Sequence, residues 1–308
     1  ESVQAIQESG SEVTSVGNGF ENGWGRVSNG IQCIVVKKLT QSLLENEMFP
    51  MTSNNWYDIE ENGIIKRLYE KEVVEGVRLG TILGKKLQVR GEDRSTVFNR
   101  QKHGKIDKRM ISSLGFGNEN VFSYIETDSY KKANLHVSID ASGSMGGEKW
   151  TNTLTNVVAL CKAVDMIQNL SIQVTFRTTT NNNPYIVMAY DSKIDKFSKI
   201  KQMFPTLHST GTTPEGLCFE AIMKNFLGST NDMDSYFLNI SDGEPYFGNN
   251  ELYYSGDMAF EHTKKMVKQI ERALKDGDSI FKLPMDTQTY YNKNKSDRSE
   301  ERRVGKEC

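Results

Sequence analysis

The chain has 308 residues, with 38 lysines and arginines against 40 aspartates and glutamates for a formal charge of −2; 37% is hydrophobic and 25% charged. That composition suits a globular protein with room for about two domains, and the near balance of charge excludes a global attraction to nucleic acid or an anionic membrane surface. No apolar run approaches the ~18 residues of a membrane span, and four widely spaced cysteines, Cys33, Cys161, Cys218 and Cys308, exclude a zinc ribbon and a dense disulfide framework. Reduced thiols and a cytoplasmic location are the expectation.

Residues 1–60 are weakly patterned, with a short apolar strand at Ile31 to Val36 and a helical stretch near Leu39 to Met48. Residues 61–132 read as mainly helical with a basic linker. Leu68, Val73, Val74, Val77, Ile82 and Leu83 recur at mixed three and four spacing, as on a helix with one buried face, although Gly76, Gly80 and Gly84 weaken that pattern. Lys85 to Arg109 holds nine basic residues against three acidic ones and one aromatic, Phe98. A solvated face is the plain reading of such a run, and nucleic-acid contact the sharper one.

From Asn134 the pattern becomes regular. Leu135 to Ile139 is a strand ending in Asp140, and Trp150, Leu154, Val157, Val158, Cys161, Val164 and Ile167 form a helical stripe. Ile172, Val174 and Phe176 alternate as in a strand. Asn181, Asn182, Asn183 and Pro184 turn the chain into another strand at Tyr185 to Tyr190. A short helix is expected around Ile194 to Phe204 and a further one at Pro214 to Phe226, with Thr213 as N-cap. Tyr236 to Ile240 reads as a strand buried on both faces, and Met258 to Leu274 as an amphipathic helix. The alternation predicts an α/β fold: a doubly wound, mainly parallel sheet over residues 133–275, covered by helices on both faces.

The chemistry-bearing residues sit where strands end or helices begin: Asp140, Ser142 and Ser144 after one strand, Thr212 and Thr213 before a helix, Asp242 after another strand. In an open α/β sheet such loops converge beside the topological switch point. Their donors are all oxygen, which suits Mg²⁺, with Mn²⁺ as the alternative, and disfavours zinc or copper. Two carboxylates and several neutral hydroxyls would leave an ion electrophilic, a site suited to gripping an acidic partner rather than cleaving a bond.

Asp140-x-Ser142-x-Ser144, Thr213 after Gly211, and Asp242 in Ile240-Ser241-Asp242-Gly243 resemble the metal-ion-dependent adhesion site (MIDAS) of the von Willebrand factor A fold, a Rossmann-like α/β fold. The resemblance implies direct contact of Ser142, Ser144 and Thr213 with the metal and an anchoring role for Asp140 and Asp242; Thr212 is the alternative to Thr213. Arg100 to Arg109, Val121-Phe122, Ile240 to Pro245 and the helix bearing Lys264, Lys265 and Lys268 are similar to the CobT-type subunits of cobaltochelatases. That implies a non-catalytic partner of a CobS- or MoxR-type AAA+ ATPase, such as also occurs in phages. The chain lacks the long acidic linker of that family, which separates the adaptor role from cobalt chelation.

Two other classes compete, a nucleic-acid-binding module using residues 85–109 and a Mg²⁺-dependent hydrolase. The latter needs a general acid or a nucleophilic Asp beside Asp140, and position 142 is Ser. Neither Gly-x-Ser-x-Gly nor a P-loop pattern is satisfied around Ser144. His136 is expected to be a hydrogen-bonded structural histidine, and Cys161, Cys218 and Trp150 core residues. Residues 276–297 lack the final strand and helix expected of an A domain, and 298–308 resemble translated sequencing-adaptor read-through, set aside as non-native.

Overall fold

The computed structural model describes residues 11–18, 21–22, 25–26, 30–46, 49–52, 67–91, 94–128, 132–226 and 233–275. The expectations for residues 276–308 lie outside these. In chain order the elements begin with β1 (Ser11–Val16), the short pair β2 (Glu21–Asn22) and β3 (Gly25–Arg26), and β4 (Ile31–Val36). Next come α1 (Gln41–Leu44), α2 (Glu70–Gly91), β5 (Arg94–Gln101), β6 (Lys105–Ile106), α3 (Ile111–Leu114) and β7 (Phe122–Asp128). The regular part holds β8 (Ala133–Asp140), α4 (Glu148–Asp165), β9 (Leu170–Thr180), β10 (Asn183–Asp191), α5 (Ser198–Met203) and α6 (Glu215–Asn225). It ends with β11 (Asp234–Ile240), β12 (Phe247–Gly248), β13 (Tyr253–Tyr254) and α7 (Gly256–Lys275).

Six strands form one mostly parallel sheet in the order β1-β4-β10-β9-β8-β11. β8 runs parallel to both β9 and β11, and β4 parallel to β10. The antiparallel exceptions are hairpins, β1 with β4 and β9 with β10. The second hairpin turns on Asn181 and Asn182, with φ of 45° and 61°; asparagine tolerates this left-handed conformation, and two such residues in succession match the twist of the flanking strands. The first hairpin extends the sheet into a region whose sequence shows only one strand, Ile31 to Val36.

Side chains alternate across the sheet into two cores. On one face Val137, Ile139, Ile172, Val174, Phe176 and Val187 pack beneath Trp150, Leu154, Val157 and Val158 of α4. On the other, Val16, Ile31, Cys33, Val35 and Ile186 meet Leu217, Phe219 and Ile222 of α6 and Ala259, Met266 and Ile270 of α7. Cys161, Cys218 and Trp150 are fully buried, as their patterning predicts. The Trp150 indole N–H donates to the Leu207 carbonyl at 2.9 Å. Among the described residues no helix is long and apolar enough to cross a membrane.

Three local expectations change. The region read as mainly helical holds one long helix, α2, and then a three-stranded sheet in the order β5-β7-β6. Thr96, Val97 and Phe98 supply the β-branched and aromatic run that favours a strand there. β11 is half-buried along its whole length rather than buried on both faces, because it stands at a sheet edge among the described residues. At α6, Pro214 holds the cap position and no side chain caps the helix. The Thr213 carbonyl instead accepts from the Glu215 N–H at 2.9 Å.

The glycines of α2 have a packing reason. Gly76, Gly80 and Gly84 share the buried face of the helix and lie on α4, where a Cβ at Gly80 would stand 2.4 Å from the Ala159 carbonyl oxygen. Glycine costs helix propensity but permits backbone contact that alanine would block.

Two buried histidines predict a fold that loses stability in acid. His136 on β8 stacks on Phe237, ring centroids 5.4 Å apart, and its Nε2 lies 3.0 Å from the Thr175 hydroxyl, while Nδ1 has no hydrogen-bond partner. His262 on α7 places Nδ1 3.0 Å from the Tyr254 hydroxyl. Burial lowers each to about 4, against an opposing effect of the neighbouring Gln173 side chain for His136 and of the charge of Glu220 for His262. Folded values below the ordinary 6.5 favour the fold while the rings are neutral, so this stabilisation is complete above about pH 6.5 and is withdrawn as pH falls toward 4. The expected loss is about 3 kcal/mol per histidine. Urea midpoints measured at pH 7.5 and 4.5 should fall accordingly, and the fall should shrink in His136→Gln.

Candidate metal centre

Three loops meet at the carboxyl ends of β8 and β11 and at the start of α6. Backbone hydrogen bonds tie them together before any side chain is considered. Gly143 N–H donates to the Gly211 carbonyl at 3.0 Å and Thr210 N–H to the Ala141 carbonyl at 2.6 Å, joining the first loop to the second. Tyr246 N–H donates to the Thr213 carbonyl at 2.8 Å, joining the second to the third. Gly211, at φ 79°, is pressed so closely against β9 that a Cβ would lie 2.6 Å from the hydroxyls of both Thr178 and Thr179. That position requires glycine for both conformation and space.

Asp140 is fully buried, and both its oxygens are committed. Oδ1 accepts from Ser142 N–H at 2.9 Å, and Oδ2 accepts from the Ser241 hydroxyl at 3.0 Å. It thus braces the first loop against the third. The hydroxyls of Ser142 and Ser144 are 2.9 Å apart, and Ser144 donates to Asp242 Oδ1 at 2.8 Å. Gly243 links this row to the second loop: a Cβ there would stand 3.5 Å from Ser144 Oγ and 3.7 Å from Thr213 Oγ1. All five residues singled out from the sequence, Asp140, Ser142, Ser144, Thr213 and Asp242, therefore fall in one cluster. Thr212 does not join it, since its N–H and hydroxyl are directed at Thr179 Oγ1, at 2.9 and 3.3 Å.

The donors are hydroxyl and carboxylate oxygens, and among the described residues no three His, Cys, Asp or Glu side chains gather to hold a metal. A hard cation such as Mg²⁺ fits this set by donor type, whereas a soft or nitrogen-seeking ion does not. Ser142, Ser144 and Thr213 would hold it directly, with Asp140 and Asp242 bracing the loops and supplying the negative charge.

Other residues shape the site without standing out in the sequence. Lys149, on the first turn of α4, contacts Asp242 Oδ2 through its ammonium and lies 3.4 Å from the Ser144 carbonyl. Beneath the loops, Arg177 of β9 and Glu215 of α6 form a buried ion pair at 2.8 Å, with side chains 0% and 4% exposed. Arg177 also donates to Ser138 Oγ at 2.9 Å, and Asn239 donates to the same Glu215 oxygen at 2.8 Å. Burial pushes the Glu215 carboxyl up, against the opposing pull of Arg177 and Asn239. The available sequence signal for Arg177 is its place as the single charged residue in Leu170–Thr180, which on a buried strand demands a partner. Lys149 shows no more than a polar first turn.

The basic stretch is divided between the end of α2 and the β5-β7-β6 sheet. There Phe98 stacks on Tyr124 at 4.9 Å and Tyr124 on His103 at 6.4 Å, adding the aromatic neighbours that the linear sequence separates.

No family model matches the chain, and no curated protein matches it. Among solved structures, the pilus adhesin SpaC of Lactobacillus rhamnosus GG in its open conformation is 12% identical and aligns over 51% of this chain and 25% of its own, with a TM-score of 0.36. A second form of that adhesin gives 12% identity, 51% and 26% coverage, and a TM-score of 0.34. The chain thus spans about a quarter of the adhesin it matches.

Proposed function

We propose that this chain is a von Willebrand A-type protein with a doubly wound sheet, whose metal-ion-dependent adhesion site binds Mg²⁺ and through it an acidic side chain of a partner protein. The observation that carries the reading is the convergence of Ser142, Ser144, Thr213, Asp140 and Asp242 from three loops that are hydrogen-bonded to one another. With neutral hydroxyls as the direct ligands and the two carboxylates behind them, a divalent ion stays electrophilic and short of ligands, and a partner's Glu or Asp completes its shell. In this reading the Ser144 hydroxyl, which donates to Asp242 at 2.8 Å, serves as a metal ligand, and the assigned role is binding. By the resemblance to CobT-type subunits, the partner is a CobS- or MoxR-type AAA+ ATPase, whose ATP-driven motion is passed to a client or to metal chelation. The chain itself is a non-catalytic subunit in this scheme.

The test is direct. Calorimetric titration should show one Mg²⁺ or Mn²⁺ site, weakened at least about tenfold in Asp140→Asn and in the rim variant Ser144→Ala. A cognate ATPase should be captured with Mg²⁺ and released by EDTA. Unchanged divalent affinity in both folded variants, or a complex indifferent to EDTA, would remove the metal bridge.

A further inference from the structure

The position of Lys149 is unfavourable on local grounds. It is the second residue of α4, at the positive end of the helix dipole, where acidic residues are preferred and Glu148 already stands. What compensates is Asp242, whose Oδ2 receives the Lys149 ammonium while Oδ1 receives the Ser144 hydroxyl. The ammonium also reaches the Ser144 carbonyl at 3.4 Å, so it lies against both the first and third loops. The side chain of Asp242 is 14% exposed whereas that of Lys149 is 59% exposed, so the carboxylate is held and the ammonium has solvent to move into.

We infer that Lys149 is a tethered counter-ion of this site, which a divalent cation must displace from Asp242 in order to bind. The inference rests on the metal reading above and adds a regulatory element to it. Two cations cannot share one carboxylate and its neighbouring hydroxyl without mutual repulsion, and the dication, with twice the charge and the oxygen set described, wins the place when its concentration suffices. Without a dication, Lys149 neutralises Asp242 and keeps the loops together. With one bound, Lys149 is released to the rim beside it. The site therefore has a threshold: the resident ammonium sets how much divalent ion is needed before the loops present it to a partner.

The experiment uses the full chain and Mn²⁺ alone as probe, with free Mn²⁺ read by electron paramagnetic resonance. Lys149→Met should tighten Mn²⁺ binding about tenfold through loss of the competing charge, whereas Lys149→Arg should remain close to wild type. In parallel, acetylation of Lys149 by an N-hydroxysuccinimide ester, followed by mass spectrometry, should be faster with saturating Mg²⁺ than without it. Equal Mn²⁺ affinity in wild type and Lys149→Met, or an acetylation rate indifferent to Mg²⁺, overturns the inference and leaves the metal reading standing. If wild type and both variants bind no Mn²⁺ while keeping the same melting temperature, both fall together.

Discussion

Gly80→Val is expected to destabilise the protein by about 3 kcal/mol or more. A helix interior would ordinarily welcome any residue but proline in place of glycine, and an isolated α2 would gain from the change. Here the added Cβ would stand 2.4 Å from the Ala159 carbonyl oxygen, 2.7 Å from Lys162 Cβ and 2.9 Å from Ala159 Cα. Two of those atoms are backbone, so neither can yield unless α2 and α4 move apart. Separation would open the contact that covers Val158 and uncover Val73, which is 3% exposed. Thermal denaturation checks the effect, with Gly115→Ala as control: its nearest neighbour is the Ser112 carbonyl oxygen at 3.5 Å, and little change is expected there.

The second large effect is at the buried ion pair. Arg177→Met should cost about 3–5 kcal/mol, because it leaves the Glu215 carboxylate buried without its cation. The same replacement strips Ser138 Oγ and the Ile240 carbonyl of their donor. The double variant Arg177→Met with Glu215→Leu should recover at least half of that loss, since removing both charges removes the uncompensated one. The deficit of the single variant should also depend on pH in a defined direction. Burial already raises the Glu215 carboxyl, and loss of the arginine raises it further. A carboxyl with a raised folded value favours the fold while protonated, so the gap between wild type and Arg177→Met narrows at pH 5.5 and widens at pH 8. Urea denaturation of the three proteins at both pH values measures it. A double variant as unstable as the single one would show that Arg177 acts through packing, for example against the Phe219 ring 5.2 Å away, rather than through charge.

The regular half of the fold was legible because its signals are local. Leu135 to Ile139, Ile172 to Phe176 and Tyr185 to Tyr190 carry strand patterns in their own residues, and the stripe from Trp150 to Val164 is helical by spacing alone. The loop cluster was legible for a related reason: Asp140, Ser142 and Ser144 are neighbours in sequence, and Thr213 and Asp242 sit beside breaks between elements. What escaped depends on partners distant in the chain. β1, Ser-Glu-Val-Thr-Ser-Val, is polar and unremarkable until β4 stands beside it. The contribution of Lys149 depends on Asp242, and that of Ser241 on Asp140. The glycines of α2 pointed away from a helix because propensity is a property of one residue, while their use lies in the helix they touch.

The parallel pairing of β4 with β10 has a consequence during synthesis. Ile34 sits opposite Tyr185 and Val36 opposite Val187, so each contact closes a loop of about 150 residues. At roughly 5–20 residues per second of ribosomal translation, the strand seam awaits its partner for on the order of ten to thirty seconds after β4 is made. Through that interval Val35 and Cys33, fully buried in the finished protein, have neither α6 nor β10 to cover them. The nascent chain therefore carries an apolar strand, β4, with one edge unpaired until β10 is made, and an unpaired apolar edge of this kind is where association of two unfinished chains would begin.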